Sequence, residues 1–178
     1  MFIYITLLCF ELIVLALVAT YGVTLLFSSA MGAPYVPTSK KRINEILKEA
    51  HLKKGQTFLE LGSGDGRIVR NAVKQYGVTG IGIDINPTLT FIARLYAKQE
   101  KLKNIIFKTE SIFNTDLKKA HVIYLFLMPQ LILKLIPSLS QLSPNTMLIS
   151  HGFKIEGWDK KLYKTVKTEP FSTFYYRI

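Results

Sequence analysis

The sequence predicts one α/β domain, a mostly parallel sheet closing in an antiparallel hairpin, preceded by a single apolar helix. Three observations carry that prediction. Short β-branched and aromatic runs alternate with helical patterns from residue 57 to 153; a glycine-rich turn, Gly62-Ser63-Gly64-Asp65-Gly66, joins the first strand to its helix; and the tail alternates with strand period without a helix between its two halves. The chain has 178 residues, room for one core and not for two.

The first 39 residues contain no Lys or Arg and one acid, Glu11. Within them Phe2 to Ala30 is almost wholly apolar and exceeds the ~20 residues a helix needs to cross ~30 Å of hydrocarbon. A cleaved signal peptide wants a basic start and a shorter apolar run, so the segment reads as a retained anchor, although Ser28-Ser29-Ala30 resembles a cleavage site. Lys40, Lys41 and Arg42 follow it and no base precedes it, which by the positive-inside rule turns the domain toward the cytoplasm or, in a mitochondrion, the matrix. Glu11 within the apolar run reads as a residue near a headgroup layer or a protonated one, with partner binding the sharper alternative. Whole-chain net charge is +11; without the leader and its one acid, the rest carries +12. That charge suits anionic lipid under a tethered domain and, as a second option, nucleic acid.

Met31 to Pro37 forms a linker in which Pro34 and Pro37 forbid regular helix. Expected boundaries are therefore anchor 1–30, linker 31–37 and domain 38–178. Thr38 or Ser39 caps a helix whose apolar stripe is Ile43, Ile46, Leu47 and Ala50. Strand Thr57–Leu61, helix Gly66–Tyr76, strand Gly80–Ile85 and helix Pro87–Lys101 follow, the last with Pro at its first turn. Ile105–Lys108 and His121–Leu127 read as strands, Pro129–Ile136 and Leu139–Leu142 as helices, and Thr146–Phe153 as a strand. Tyr163–Lys167 and Ser172–Ile178 read as the closing antiparallel pair.

Chemistry concentrates at Leu59-Glu60-Leu61-Gly62-Ser63-Gly64-Asp65-Gly66-Arg67. Glycines let the backbone approach a cofactor, and the helix start behind them offers N–H groups. Asp84 ends the next strand eighteen residues after Gly66, about where nucleotide folds put the carboxylate that takes a ribose diol. The dinucleotide fingerprint is broken, because its third glycine arrives one position early and Arg67 stands in its place. Glu60 would also repel a pyrophosphate, whereas it suits the ammonium of a methionine moiety. No G-K-[ST] P-loop is present.

With these residues the chain resembles the class I S-adenosylmethionine-dependent methyltransferases, E-L-G-S-G-D-G matching their first motif and G-I-D-I-N their second. The resemblance implies a Rossmann-like sheet and S-adenosylmethionine as cofactor, held by a candidate set of Glu60, Gly62, Ser63, Gly64, Asp65, Asp84, Ile85, Glu110, Ser111 and Ile112. Glu60, Gly62 and Gly64 would line the methionine end, Asp84 the ribose, and Glu110-Ser111-Ile112 the adenine; Ser111 stands where many members carry Asp. Further motifs, P-Y-V-P-T-S-K, D-G-R-I-V, Asn86-Pro87, A-R-L-Y-A and L-F-L-M-P, are similar to the small membrane-anchored protein-lysine methyltransferases of the mitochondrial inner membrane. That implies a lysine-bearing protein as acceptor and the bilayer as a partner.

Such a reaction needs a neutral amine aligned with the sulfonium methyl in a water-poor channel. The candidate walls are Tyr35, Pro37 and Thr38 on one side and Phe126, Leu127, Met128 and Pro129 on the other. Each residue also has a plainer reading: Asp65 as a helix cap, Arg67 as the ion-pair partner of a nearby carboxylate, Tyr124, Phe126 and Leu127 as core, His121 and His151 as structural. Trp158, Tyr175 and Tyr176 fit either a membrane-facing or a sheet-packed role. With the lone Cys9 in the leader, no metal site is expected. Methylation of RNA or of a lipid or quinone is the alternative activity, although the N-P-P-Y type tetrapeptide of many nucleic-acid amino methyltransferases is replaced by L-F-L-M-P. A non-catalytic binding module on the same fold is the alternative class.

Overall fold

A computed structural model describes residues 1–30 and 36–178. Two compact units divide the chain, 1–35 and 36–178. In the first, helix α1 (Phe2–Ala30) is long and apolar enough over Phe2–Thr20 to cross a membrane, and the side chains there are exposed.

The second unit holds α2 (Lys40–Glu49), β1 (Thr57–Leu61), α3 (Arg67–Tyr76), β2 (Thr79–Asp84), α4 (Pro87–Gln99), β3 (Ile105–Thr109), β4 (Val122–Leu125), α5 (Pro129–Leu139), β5 (Met147–His151), β6 (Leu162–Val166) and β7 (Thr173–Arg177). The seven strands form one sheet in the order β3-β2-β1-β4-β5-β7-β6; β1 to β5 are mutually parallel and β7 runs antiparallel between β5 and β6. This is the predicted Rossmann-like α/β sheet with its closing hairpin.

Successive strand residues face opposite sides. Phe58, Phe107, Val122, Tyr124, Ile149 and Tyr175 share one core with Ile43, Ile46 and Leu47 of α2 and Ile68, Val69 and Ala72 of α3. The alternate residues Leu59, Leu61, Ile123, Leu125 and Leu148 are equally buried, as are Ile132, Leu135 and Leu139 of α5. Burial on both sides explains why these strands read as near-continuous apolar runs. Helix α2 is capped by Ser39, whose Oγ accepts the N–H of Arg42 at 3.3 Å. Helix α4 is capped by the buried Asn86, which accepts from Thr88 and Leu89 at 3.0 and 3.2 Å, with Pro87 in the first turn.

Three of the differences from the predicted boundaries have a local physical cause. The strand expected to reach Leu127 stops at Leu125, because Leu127 turns beneath the glycine loop and Met128 caps α5. The strand expected to reach Phe153 stops at His151, before Gly152 at φ +89°. Helix α5 is one element through Pro137 instead of two, since Leu135 and Leu139 bury together at i and i+4. The bond Pro137 forfeits belongs to the carbonyl of Leu133, a residue 51% exposed and so open to solvent.

The aromatic tail packs on the sheet. Tyr175 is buried and donates its hydroxyl to Ile46 O at 3.1 Å; Tyr176 is buried, accepts from Ile155 N at 2.8 Å and meets Trp158 edge-on. The last residue is tied in as well: Ile178 N donates to Thr146 O at 3.1 Å and accepts from Asn145 N at 2.8 Å.

Candidate active site at the carboxyl ends of β1, β2 and β4

Strand order reverses between β1 and β4, so the chain leaves their carboxyl ends in opposite directions and opens a crevice there. The glycine turn occupies it. Gly62 N and Ser63 N both donate to Ile83 O at 2.8 Å, and Gly64 N donates to the Asp84 carboxylate at 2.7 Å. Behind them, Arg67 N is taken by Asp65 Oδ1 at 3.2 Å and Val69 N by Glu60 Oε2 at 3.0 Å. The sequence reading left N–H groups at this helix start for a ligand; these five are instead consumed internally, which leaves no phosphate cradle at those positions and fits a cofactor without phosphates.

Two glycines are required on steric grounds. At Gly62, φ +76°, an added Cβ would stand 2.8 Å from Leu127 Cδ2; at Gly66, φ +72°, it would drive into the Phe107 ring. Leu127, 3% exposed, therefore lies directly beneath the turn. Ser63 is buried, and its Oγ has no hydrogen-bond partner among the described residues.

Asp84 closes β2. Its Oδ1 accepts Asn86 N at 2.8 Å, its Oδ2 accepts Gly64 N, and each oxygen keeps a further lone pair for a diol. Burial raises its pKa above the ordinary 3.8, against the pull of those N–H groups. Ile85, 37% exposed, follows it. Glu110 N donates to Asp84 O at 3.1 Å, which brings Glu110, Ser111 and Ile112, all half-buried, beside the same rim. The Glu110 carboxylate accepts from Thr115 Oγ1 at 3.2 Å, and Ser111 Oγ caps a short turn at Phe113 N.

Glu60 is 3% exposed, and burial holds its pKa well above 4.5 despite the Val69 N–H. Sequence reasoning missed this capping role, because a strand residue reaching the third N–H of the next helix leaves no local signature. Asp65 and Arg67 pair at 2.8 Å, and Arg67 also donates to Thr38 O at 3.3 Å, tying the strip before α2 to the glycine loop. Thr38 is half-buried and Pro37 exposed; Tyr35 lies outside the described residues. After β4, Phe126 meets His151 and Phe171 edge-on at 4.7 and 5.2 Å, Met128 is half-buried, and Pro129 is exposed at the start of α5. Phe171, from the β6–β7 turn, had no sequence signal. His151 Nδ1 bonds Thr173 Oγ1 at 2.9 Å, and His121 Nδ1 accepts Thr57 N at 3.0 Å, so both imidazoles serve the fold. Among the described residues no three His, Cys, Asp or Glu side chains gather as metal ligands would.

A sheet of this order with a phosphate-free glycine turn and an acid closing β2 defines a Rossmann-like S-adenosylmethionine-dependent methyltransferase. Its match to the family described as the ANTKMT methyltransferase domain spans residues 60–162, and the chain belongs to that family. It is 34% identical over 143 residues, 76% of this chain and 85% of the relative, to a protein-lysine N-methyltransferase of Saccharolobus islandicus (strain REY15A). It is 31% identical to the ATP synthase c-subunit lysine N-methyltransferase of Caenorhabditis elegans, covering 68% and 67% of the two chains. Among solved structures, an RNA methyltransferase from Salinibacter ruber in complex with S-adenosyl-L-homocysteine superposes with a TM-score of 0.77 and 36% identity, over 80% of this chain and 94% of that one.

Proposed function

We propose that this methyltransferase modifies the side-chain amine of lysine in a membrane or membrane-associated protein. The observation that carries the reading is the likeness to the Saccharolobus lysine methyltransferase over most of both chains. An apolar helix long enough to span a bilayer, preceding the enzyme unit, favours an acceptor at the membrane. In this reading residues 1–30 are the anchor, 31–37 the tether and 38–178 the enzyme. Lys40, Lys41 and Arg42 face the unit toward the cytoplasm or matrix.

S-adenosylmethionine supplies an electrophilic methyl group on a cationic sulfur. The chain aligns and dries the acceptor, an effect worth ~7–11 kcal/mol in well-oriented systems. Gly62, Ser63 and Gly64 form the cradle, Asp84 takes the ribose diol, and Ile85, Glu110, Ser111 and Ile112 border the adenine. Pro37 and Thr38 face Phe126, Met128 and Pro129 across the acceptor opening, where low polarity lowers the lysine pKa and frees its lone pair.

The test uses the full chain in detergent, methyl-labelled cofactor and membranes from a strain lacking the gene. Label on protein lysines, read by mass spectrometry, is the expected result; an unlabelled protein fraction removes the reading. A second reading, RNA methylation, is favoured by the Salinibacter relative's name and the net charge of +11; it predicts label in the RNA fraction of the same assay.

A further inference from the structure

Among the described residues from 36 onward, nine large apolar side chains are exposed, and six of them, Ile85, Phe91, Leu95, Tyr96, Ile106 and Phe113, come from one stretch at the β3 end of the sheet. Ile85 follows Asp84 at the crevice, and Tyr96 is partly covered by the Arg70 guanidinium, 4.9 Å from its ring centre. The other four remain open to solvent. On α4, with 3.6 residues per turn, Phe91, Arg94, Leu95 and Lys98 share one stripe. Arg94 fixes where that stripe lies: its Nη2 donates at 2.8 Å to Phe107 O on β3, the outermost strand. Phe107 packs into the core on the α3–α4 side, so Ile106 and Lys108 project from the opposite face. The edge thus carries Phe91 and Leu95 on one flank and Ile106 on the other, with Phe113 just past the end of β3. The same stretch holds five cations, Arg94, Lys98, Lys101, Lys103 and Lys108, all exposed. Its two acids are already engaged: Glu100 pairs with Arg70, and Glu110 accepts from Thr115.

Arg94 occupies Phe107 O, which opposes the addition of a further strand at this edge. What the surface offers instead is separate aliphatic and aromatic groups set among lysines. A nucleic acid would match the cations and leave Leu95 and Ile106 in water. The headgroup layer of an anionic bilayer matches both, taking the ammonium groups at its phosphates while the apolar tips enter the acyl boundary. We infer that the β3 edge, where Phe91, Leu95 and Ile106 stand among lysines, is a lipid-docking surface of the enzyme unit, additional to the apolar helix α1. The inference rests on the membrane part of the functional reading and is independent of the identity of the acceptor.

The test uses the full chain with Cys9→Ser and one engineered cysteine carrying an environment-sensitive fluorophore. The cysteine is placed either by Asn114→Cys, exposed beside Phe113, or by Thr165→Cys, exposed on β6 at the other end of the sheet. Each is reconstituted in lipid nanodiscs of phosphatidylcholine alone or mixed with phosphatidylglycerol. The label at 114 should shift to the blue and be quenched by a lipid-borne nitroxide in the anionic discs, and the label at 165 should not. Lys101→Glu, Lys103→Glu and Lys108→Glu together should weaken docking by about fivefold for each lysine lost, and raised salt should act the same way. Phe91→Ser with Ile106→Ser should abolish the blue shift, and thermal melting in detergent separates lost docking from lost fold. Equal signals in the two lipids, the same change at 165, a triple variant that docks like the unsubstituted chain, or a response at 114 to added RNA and not to anionic lipid overturns the inference. Failure of the chain to enter the discs removes the membrane reading along with it, whereas entry without a signal at 114 removes the docking surface alone.

Discussion

The carboxylate of Asp84 accepts the N–H of Gly64 at 2.7 Å, so the acid that ends β2 also fixes the shape of the glycine loop beside it. Asp84→Ala would therefore remove a ligand contact and leave two loop N–H groups, of Gly64 and Asn86, without their acceptor. Each orphaned donor costs about 1–3 kcal/mol. The variant should bind S-adenosylhomocysteine at least about tenfold more weakly and melt lower even without ligand. Calorimetry and thermal melting read the two effects separately, and an unchanged ligand-free melt would mean that the loop keeps its shape unaided.

Acid should destabilise the fold through His151. Burial depresses its pKa from 6.5 to about 4, with the Arg42 charge adding to the effect. Between those values the unfolded chain binds the proton and the folded chain refuses it, so this contribution falls as pH drops through the window, by up to about 3 kcal/mol. Glu60 and Asp84 act oppositely: their pKa values are raised, so the folded state holds protons that the unfolded state has released, and their contribution falls as pH rises above about 4. The His151 effect is thus read as wild type minus His151→Gln across pH 4–6.5. Glu60→Gln should flatten the loss on the rising side.

Leu47 is wholly buried between α2 and the sheet. Leu47→Ala should cost about 2–5 kcal/mol in denaturant unfolding. Since α2 carries Thr38 at its entrance, a loosened helix should also raise the acceptor KM more than Leu139→Ala does from α5.

If the acceptor passes between Thr38 and the loop after β4, Phe126→Ala and Pro129→Ala should each reduce kcat/KM for the protein acceptor about tenfold or more, with S-adenosylhomocysteine affinity within about twofold of wild type. Both variants at full kcat/KM would locate the opening elsewhere.

Strand and helix alternation, the glycine turn and Asp84 were legible in the sequence because each depends on residues close in the chain. Glu60 was legible as an acid ahead of the glycine turn but not as the acceptor for Val69 N, since that bond joins a strand to the helix beyond the turn. The contacts of Leu127 and Phe171 were hidden for the same reason: one folds back under Gly62 and the other arrives from the β6–β7 turn. Pro137 ended a helix in the local rules, and the joint burial of Leu135 and Leu139 outweighed the one bond it forfeits. What the sequence hides is tertiary reach, and the candidate site is built largely from it.

Ile178 is stitched to Thr146 at the amino end of β5, whereas Thr38 is held at the rim by Arg67. The polypeptide thus enters this unit beside the crevice and departs from its far pole. An affinity handle or fluorophore fused after Ile178 would trail away from the opening, and enzyme immobilised by that handle would present its mouth to incoming acceptors.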